Sequence, residues 1–142
     1  MKAITIIVLS AGIFATGCVH GGRLESGEAA RAKAVQDEAD LAAALAGRTA
    51  GPPQDCVSQR DLEGGRSYGR GVILFGRGTD EVAYVNRPAG GCPEITTGRA
   101  LKSRTPTTRL CRGDIVVVFD PVSGMEYGSC SLGEFTPYRR GR

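Results

Sequence analysis

The core of the chain is encoded by Leu110-Cys111-Arg112-Gly113-Asp114-Ile115-Val116-Val117-Val118-Phe119-Asp120, the most apolar segment beyond the N-terminus. Its consecutive apolar and mostly β-branched residues, 115–119, are typical of a strand that is buried on both faces. Residues 121–124 predict a turn, and residues 125–130 then predict the partner strand. The wider stretch 92–130 also contains three of the chain's 5 cysteines. We therefore expect the centre of the fold here.

Other short segments have the same β-like pattern. Residues 72–75 and 82–85 are apolar and flank a turn at residues 78–81, which predicts a hairpin. Residues 56–62 and 100–105 are weaker candidates for strands. About five to six short strands with glycine-rich turns predict a mainly β fold, a small antiparallel barrel or sandwich.

The bulk composition limits the classes of function. The chain has 142 residues, a net charge of +3, 21 glycines and no tryptophan. This length indicates one domain with a tail. A small net charge and few aromatic residues argue against a nucleic-acid partner.

The N-terminus predicts export. Met1-Lys2 gives a positive start, an apolar run follows from residue 3 to residue 14, and the small residues 15–17 precede Cys18. This order is typical of a secretory signal peptide, here residues 1–17. The run before Cys18 also resembles a bacterial lipobox, so we expect an acylated Cys18 (a palmitate-bearing lipoprotein); cleavage nearby without lipidation is the alternative. Val19 follows Cys18 where inner-membrane retention usually requires Asp, which favours an outer membrane, with the domain facing the periplasm.

Residues 18–50 read as a helical tether between the anchor and the domain. Residues 27–46 are rich in Ala and charged residues, with Ser26 as an N-cap and Gly47 as the C-terminal stop. The apolar stripe of this Ala-rich helix is thin, so we expect a solvated stalk rather than a helix that packs on the domain or binds a partner. Gly51-Pro52-Pro53 then marks the start of the β domain, 51–142.

The four cysteines other than Cys18 predict two disulfides. An even count in a small exported domain is typical of a disulfide framework. Sequence alone leaves the pairing open, and the preferred arrangement joins Cys56 with Cys130 and Cys92 with Cys111. A metal or redox site is the rival interpretation, but the cysteines are widely spaced and the chain's only histidine, His20, lies beside the anchor. No metal or other cofactor is predicted.

Catalysis is not predicted for this chain. The predicted domain contains no histidine, so Ser–His and Cys–His mechanisms are excluded. A carboxylate pair drawn from Asp114, Asp120, Glu126 and Glu134 remains the only candidate. Arg112-Gly113-Asp114 is interpreted as a turn.

Basic residues recur through the first half of the domain, and they are Arg60, Arg66, Arg70, Arg77 and Arg87. They are interpreted as a solvated face, with an anionic glycan or lipid headgroup as the alternative ligand. The last residues, 139–142, are expected to form a frayed tail.

Several motifs together resemble a known family. They are residues 73–75, Gly91-Cys92-Pro93, residues 110–115 and residues 129–135. The chain resembles small exported alphaproteobacterial proteins of unknown function, of the DUF6491 type, over about residues 54–138. The resemblance implies a disulfide framework and transfers no activity.

These observations predict an envelope lipoprotein that acts as a non-catalytic binding or assembly module. An accessory or inhibitory subunit of an envelope enzyme or transporter is the alternative, and a carboxylate-based hydrolase is the third. The expected partners are the membrane, reached through the lipid anchor, and an envelope protein or anionic glycan.

Overall fold

The apolar run Ile115–Phe119 is a strand, as predicted, in a computed structural model that describes residues 21–62, 64–96 and 98–141. The described chain contains one α-helix, ten strands and one short 3-10 helix, Gln59–Leu62. The longer elements are α1 (Gly21–Ala44), β1 (Arg48–Ala50), β2 (Cys56–Ser58), β3 (Arg66–Tyr68), β4 (Val72–Phe75), β5 (Val82–Asn86), β6 (Ala100–Ser103), β7 (Arg109–Cys111), β8 (Ile115–Phe119), β9 (Glu126–Ser131) and β10 (Phe135–Arg140).

All strand pairs are antiparallel, which confirms the predicted mainly β class. A five-stranded sheet has the order β1-β10-β5-β4-β3, and a three-stranded sheet has the order β6-β8-β9. Strands β2 and β7 form a separate ribbon. The number of strands exceeds the prediction because four of them carry polar residues and lack an apolar run: β1, β3, β7 and β10.

The main core includes residues from both large sheets and from the ribbon. Phe135, Ile73 and Val118 are each fully buried there. The rings of Phe75 and Phe135 are 6.2 Å apart between centroids. The other face of β8 is only partly covered by the described part of the chain, since Val117 and Phe119 are half-buried and Ile115 is 54% exposed. The prediction that both faces of this strand are buried was therefore wrong.

Helix α1 packs on the five-stranded sheet, which corrects the prediction of a solvated stalk. Leu41 is only 4% exposed and belongs to a second apolar cluster that includes Val72, Leu74 and Val85. Residues 27–36 of the helix do remain exposed. The helix ends at Ala44, and Gly47 follows with a φ of 73°, the left-handed conformation common after helix ends.

The boundaries of the domain also differ from the prediction. β1 lies within residues assigned to the tether, yet it pairs with β10 in the register Ala50↔Tyr138. Arg139 and Arg140 lie in β10, so the tail is not frayed at these positions. Arg139 pairs with Val82 of β5. Backbone pairing on both sides of the last strand holds these charged residues in the sheet.

The four cysteines form two disulfides, as predicted, but the preferred pairing was wrong. Cys56 bonds Cys111, and Cys92 bonds Cys130. The preferred pairing assumed that Cys56 and Cys130 join the terminal strands of the domain. In the structure β2 pairs with β7, which sets Cys56 directly opposite Cys111. Strand β9 belongs to the three-stranded sheet, and its Cys130 bonds Cys92 in the loop that follows β5.

Candidate binding slot

A cleft of about 880 Å³ lies between helix α1, strand β3 and the loop at residues 96–99. We call it the slot. It is lined by Lys33, Asp37, Asp40, Ala43, Ala44, Gly64, Gly65, Arg66, Ser67, Tyr68, Thr96, Gly98 and Arg99. A smaller cavity of about 420 Å³ shares four of these residues and continues the cleft toward Pro93 and Ile95. Ligand sites in proteins typically occupy about 300–1,000 Å³.

The helical wall of the slot is fixed by one apolar and one ionic contact. Leu41 packs into the second apolar cluster together with Tyr68 of β3. Arg87 donates to both carboxylate oxygens of Glu38, at 3.0 and 3.3 Å. Hydrogen bonding from Arg87 lowers the pKa of Glu38, and the same bond raises the pKa of Arg87. The position of α1 beside β3 is therefore specified by side chains rather than by a flexible connection.

The polar groups on the helical wall are held in local pairs. Lys33 Nζ lies 2.9 Å from Asp37 Oδ1. Gln36 donates to Asp40 Oδ1 at 2.7 Å. Both pairs are spaced four residues apart, so they lie on the helix surface and stabilise it modestly. They also present a carboxylate and an ammonium group to the slot.

The loop wall is anchored at both ends. Cys92 is disulfide-bonded to Cys130, and Ile95 is buried in the main core. Arg99 donates to the backbone oxygen of Glu94 at 2.5 Å, and its guanidinium lies 3.6 Å from the ring centroid of Tyr127. A cation held over an aromatic face at this distance is favourable. The described residues on both sides of this wall are thus held by the rest of the domain.

The third wall is the edge of strand β3. In the five-stranded sheet β3 lies at the end and has only β4 as a neighbour. Five consecutive residues, 64–68, line the slot. Successive side chains of a strand point to opposite faces, so consecutive lining residues indicate that the strand's edge itself faces the cleft.

The predicted carboxylates lie in turns and ion pairs. Asp114 accepts the Cys111 N–H at 2.8 Å, and Glu134 pairs with Arg112 at 3.0 Å. Asp120 accepts the backbone N–H groups of Val122 and Ser123, and these bonds lower the pKa of Asp120. Glu126 Oε1 lies 2.5 Å from Lys102 Nζ and 2.9 Å from Arg104 Nη2. Hydrogen bonds from Lys102 and Arg104 lower the pKa of Glu126. Each carboxylate thus has its own local partner.

The predicted arginines do not share one face. Arg66 lines the slot and Arg70 its continuation, whereas Arg87 pairs with Glu38. Arg60 and Arg77 line a different cavity of about 360 Å³, and Arg66 and Arg77 meet at a third cavity of about 210 Å³.

Polar groups also gather at the cavity of about 360 Å³. Asp61, Asp80 and Tyr84 line it beside Arg60 and Arg77. Burial, with a smaller contribution from Asp61, raises the pKa of Tyr84.

Sequence reasoning missed the slot because its walls are far apart in the chain. The available signals were weak: Gly64-Gly65 before Arg66, and Leu41 with Ala44 on one side of the helix. Cys18, the predicted lipidation site, lies outside the described residues. Among the residues that the structure describes, no group of three or more His, Cys, Asp and Glu side chains has the arrangement of a metal site. Likewise, no helix in the described ranges is long and apolar enough to cross a bilayer.

Comparisons of the chain with protein-family models, with curated protein sequences and with solved structures return no match. The resemblance to the DUF6491-type family stays a prediction carried by the motifs alone.

Proposed function

We propose that the protein is an exported lipoprotein that acts as a non-catalytic binding module in the periplasm, with the slot as its binding site. The observation that carries this proposal is the slot itself, a cleft with three walls, one of which is the open edge of the five-stranded sheet. Preformed clefts with a few polar groups are the usual form of a binding site.

The scaffold around the slot supports recognition without chemistry. The Cys92–Cys130 disulfide anchors the loop wall and the Glu38–Arg87 pair helps to fix the helical wall before a ligand arrives. Binding to preorganised walls avoids the entropy cost of ordering them. The polar groups on the helical wall are already paired with one another, an arrangement suited to contacting a ligand rather than to moving protons.

The exposed segment of α1 supports a tether. Residues 27–36 form about 15 Å of solvated helix at a rise of 1.5 Å per residue. In the proposed arrangement this segment separates the domain from an acylated Cys18 and leaves the slot accessible.

The anchor is tested by the intact mass of the protein purified from native membranes. We expect a chain that begins at Cys18 and carries acyl groups, with four thiols that appear only after reduction. A chain without acyl groups would remove the lipoprotein part of the proposal.

The binding site is tested by photo-cross-linking in intact cells. A photoreactive residue at Thr96, an exposed position in the slot, is compared with one at Val122, which is 96% exposed and does not line the slot. We expect a discrete product from Thr96 that Ala43→Trp abolishes by filling the slot. The exposed neighbour Ala42→Trp, outside the slot lining, is the control. Equal products at Thr96 and Val122, or none at Thr96, would contradict the proposal.

A second candidate function is an accessory or inhibitory subunit docked on an envelope enzyme or transporter. It is favoured by the partly covered outer face of the three-stranded sheet, where Ile115 is 54% exposed and Met125, in the turn before β9, is 58% exposed. Exposed apolar patches commonly mark protein interfaces. If this candidate is right, Ile115→Lys removes a co-purifying membrane protein that Ala43→Trp retains.

A further inference from the structure

We propose that the ligand of the slot is an extended polypeptide segment, which binds by adding to strand β3 as a sixth strand of the five-stranded sheet. This inference rests on the proposed function, because it specifies the class of ligand that the slot accepts. Strand addition at an open sheet edge is a recurrent mode of peptide recognition, in which main-chain hydrogen bonds provide the affinity.

The edge of β3 supplies the necessary backbone groups. β4 occupies one side of β3, in the register Ser67↔Ile73. On the other side, no backbone hydrogen bond reaches β3 from any residue that the structure describes. An unpaired edge presents a row of N–H and C=O groups to another chain, and here that row faces the cleft.

The loop that contains Cys92 makes one backbone hydrogen bond next to the end of β3 and then turns away from that strand. The Cys92 N–H donates to Arg70 O at 2.6 Å, just beyond the end of β3. A Cβ placed on Gly91 would lie 2.9 Å from the same oxygen, so the two segments are in close contact at this point. From Pro93 onward the loop diverges, and the slot opens between it and β3. A peptide strand would occupy the space that the loop leaves.

The lining favours a peptide over a glycan. Sugar rings are commonly bound by stacking on exposed aromatic faces, but Tyr68 is the only aromatic residue of the lining. It is 9% exposed because it packs under Leu41. The lining is instead built from backbone, small residues and charged side chains. Arg66, which has no ion-pair partner among the described residues, is available to an acidic side chain of the peptide.

The test uses the full oxidised chain in detergent micelles. The probes are a phage-displayed library of linear peptides of about seven residues, the length of an ordinary strand, and a panel of peptide-free cell-wall glycan fragments. A selected peptide is then synthesised with one backbone N-methyl group at each position in turn. Strand pairing predicts that every second N-methyl group weakens binding about five- to tenfold, because only alternate N–H groups face β3.

Three controls make the outcome decisive. Ala43→Trp should abolish binding of the selected peptide and Ala42→Trp should not, and both positions are exposed, so both variants are expected to fold. The bound peptide should also slow amide hydrogen exchange within residues 66–68. Strand addition would be overturned if the loss of affinity did not alternate along the N-methylated peptide positions. It would also be overturned if the bound peptide left the amide exchange rates of β3 unchanged.

The outcomes also separate this inference from the proposed function. Slot binding of glycans alone, or of peptides that tolerate every N-methyl group, overturns strand addition while the slot remains a binding site. If Ala43→Trp leaves the affinity for the peptide unchanged, strand addition in the slot is overturned. If neither probe class binds, both proposals fail.

Discussion

Asn86 is a fully buried polar side chain that joins strand β5 to the loop before β10. Its Nδ2 donates to Gly133 O at 2.8 Å, and its Oδ1 accepts the Gly133 N–H at 2.9 Å. The amide thus replaces a pair of backbone hydrogen bonds where the two segments cannot pair directly. Such a buried group is tolerated only because both of its polar atoms have partners.

Glycine is required at position 133 because the neighbouring backbone of Arg87 leaves no space for a side chain. A Cβ at this position would lie 2.0 Å from the backbone oxygen of Arg87, which no side-chain adjustment can relieve. We expect Gly133→Ala to lower the free energy of unfolding by about 1–3 kcal/mol, measured by denaturant titration of the oxidised protein. Gly71→Ala is the matched control, since nothing lies within 4 Å of its Cβ position. Equal stability of the two variants would show that the backbone around position 133 relaxes.

The Glu38–Arg87 pair predicts a small dependence of stability on pH. Hydrogen bonding to Arg87 lowers the pKa of Glu38 in the folded state below its ordinary value of 4.5. A lowered carboxyl pKa stabilises the fold above the unfolded-state pKa, and this stabilisation is lost as the pH falls through the folded-state pKa. Both side chains are 57% exposed, so screening limits the effect to about 1 kcal/mol or less. Glu38→Gln should therefore be less stable than the parent at pH 7, and the difference should shrink as the pH falls below 4.5 and through the folded-state pKa. A difference in unfolding free energy that does not change with pH would refute the assignment.

At the scale of elements, the docking of α1 depends on few contacts. Leu41 is the one side chain of the helix that is nearly fully buried among residues 27–44. Leu41→Ala is expected to cost about 2–5 kcal/mol, from lost burial and from the cavity that remains. Val35→Ala, at a position 71% exposed on the same helix, is the control and should change little. Denaturant titration gives the energies, and faster proteolysis near residues 45–53 in the Leu41 variant alone would show that the helix has detached.

The elements that could be predicted from sequence are the strands that contain a run of apolar residues. β4, β5 and β8 have apolar runs, so their burial is encoded locally. β10 begins with Phe135 but ends in Tyr138-Arg139-Arg140, and its pairing with β1 and β5 comes from distant backbone. The same holds for β3, with its Arg66-Ser67-Tyr68. Because the slot depends on β3 and on the docking of α1, it could not be derived from local pattern.

The molecule as a whole is built in layers, with α1 on one side of the five-stranded sheet and the three-stranded sheet on the other. The short apolar runs with their turns were enough for the class of fold, and the cysteine count was enough for the presence of two disulfides. They could not give the pairing, since that depends on which strands become neighbours. The ribbon of β2 and β7 joins segments more than fifty residues apart, with Cys56 and Cys111 separated by 55 positions.

This layered arrangement places the two disulfides in different environments. Cys92 and Cys130 are 1% and 6% exposed, within the main core, whereas Cys56 and Cys111 are only half-buried on the ribbon. Thiol–disulfide exchange requires access of the attacking thiolate to a sulfur atom. In the folded protein we expect graded reductant to open Cys56–Cys111 first, so that early alkylation maps to these two residues while Cys92–Cys130 stays closed. Mass spectrometry of the alkylated protein checks the order. Simultaneous opening would mean that reduction proceeds through global unfolding, and in that case the ribbon would be as stable as the core that it flanks.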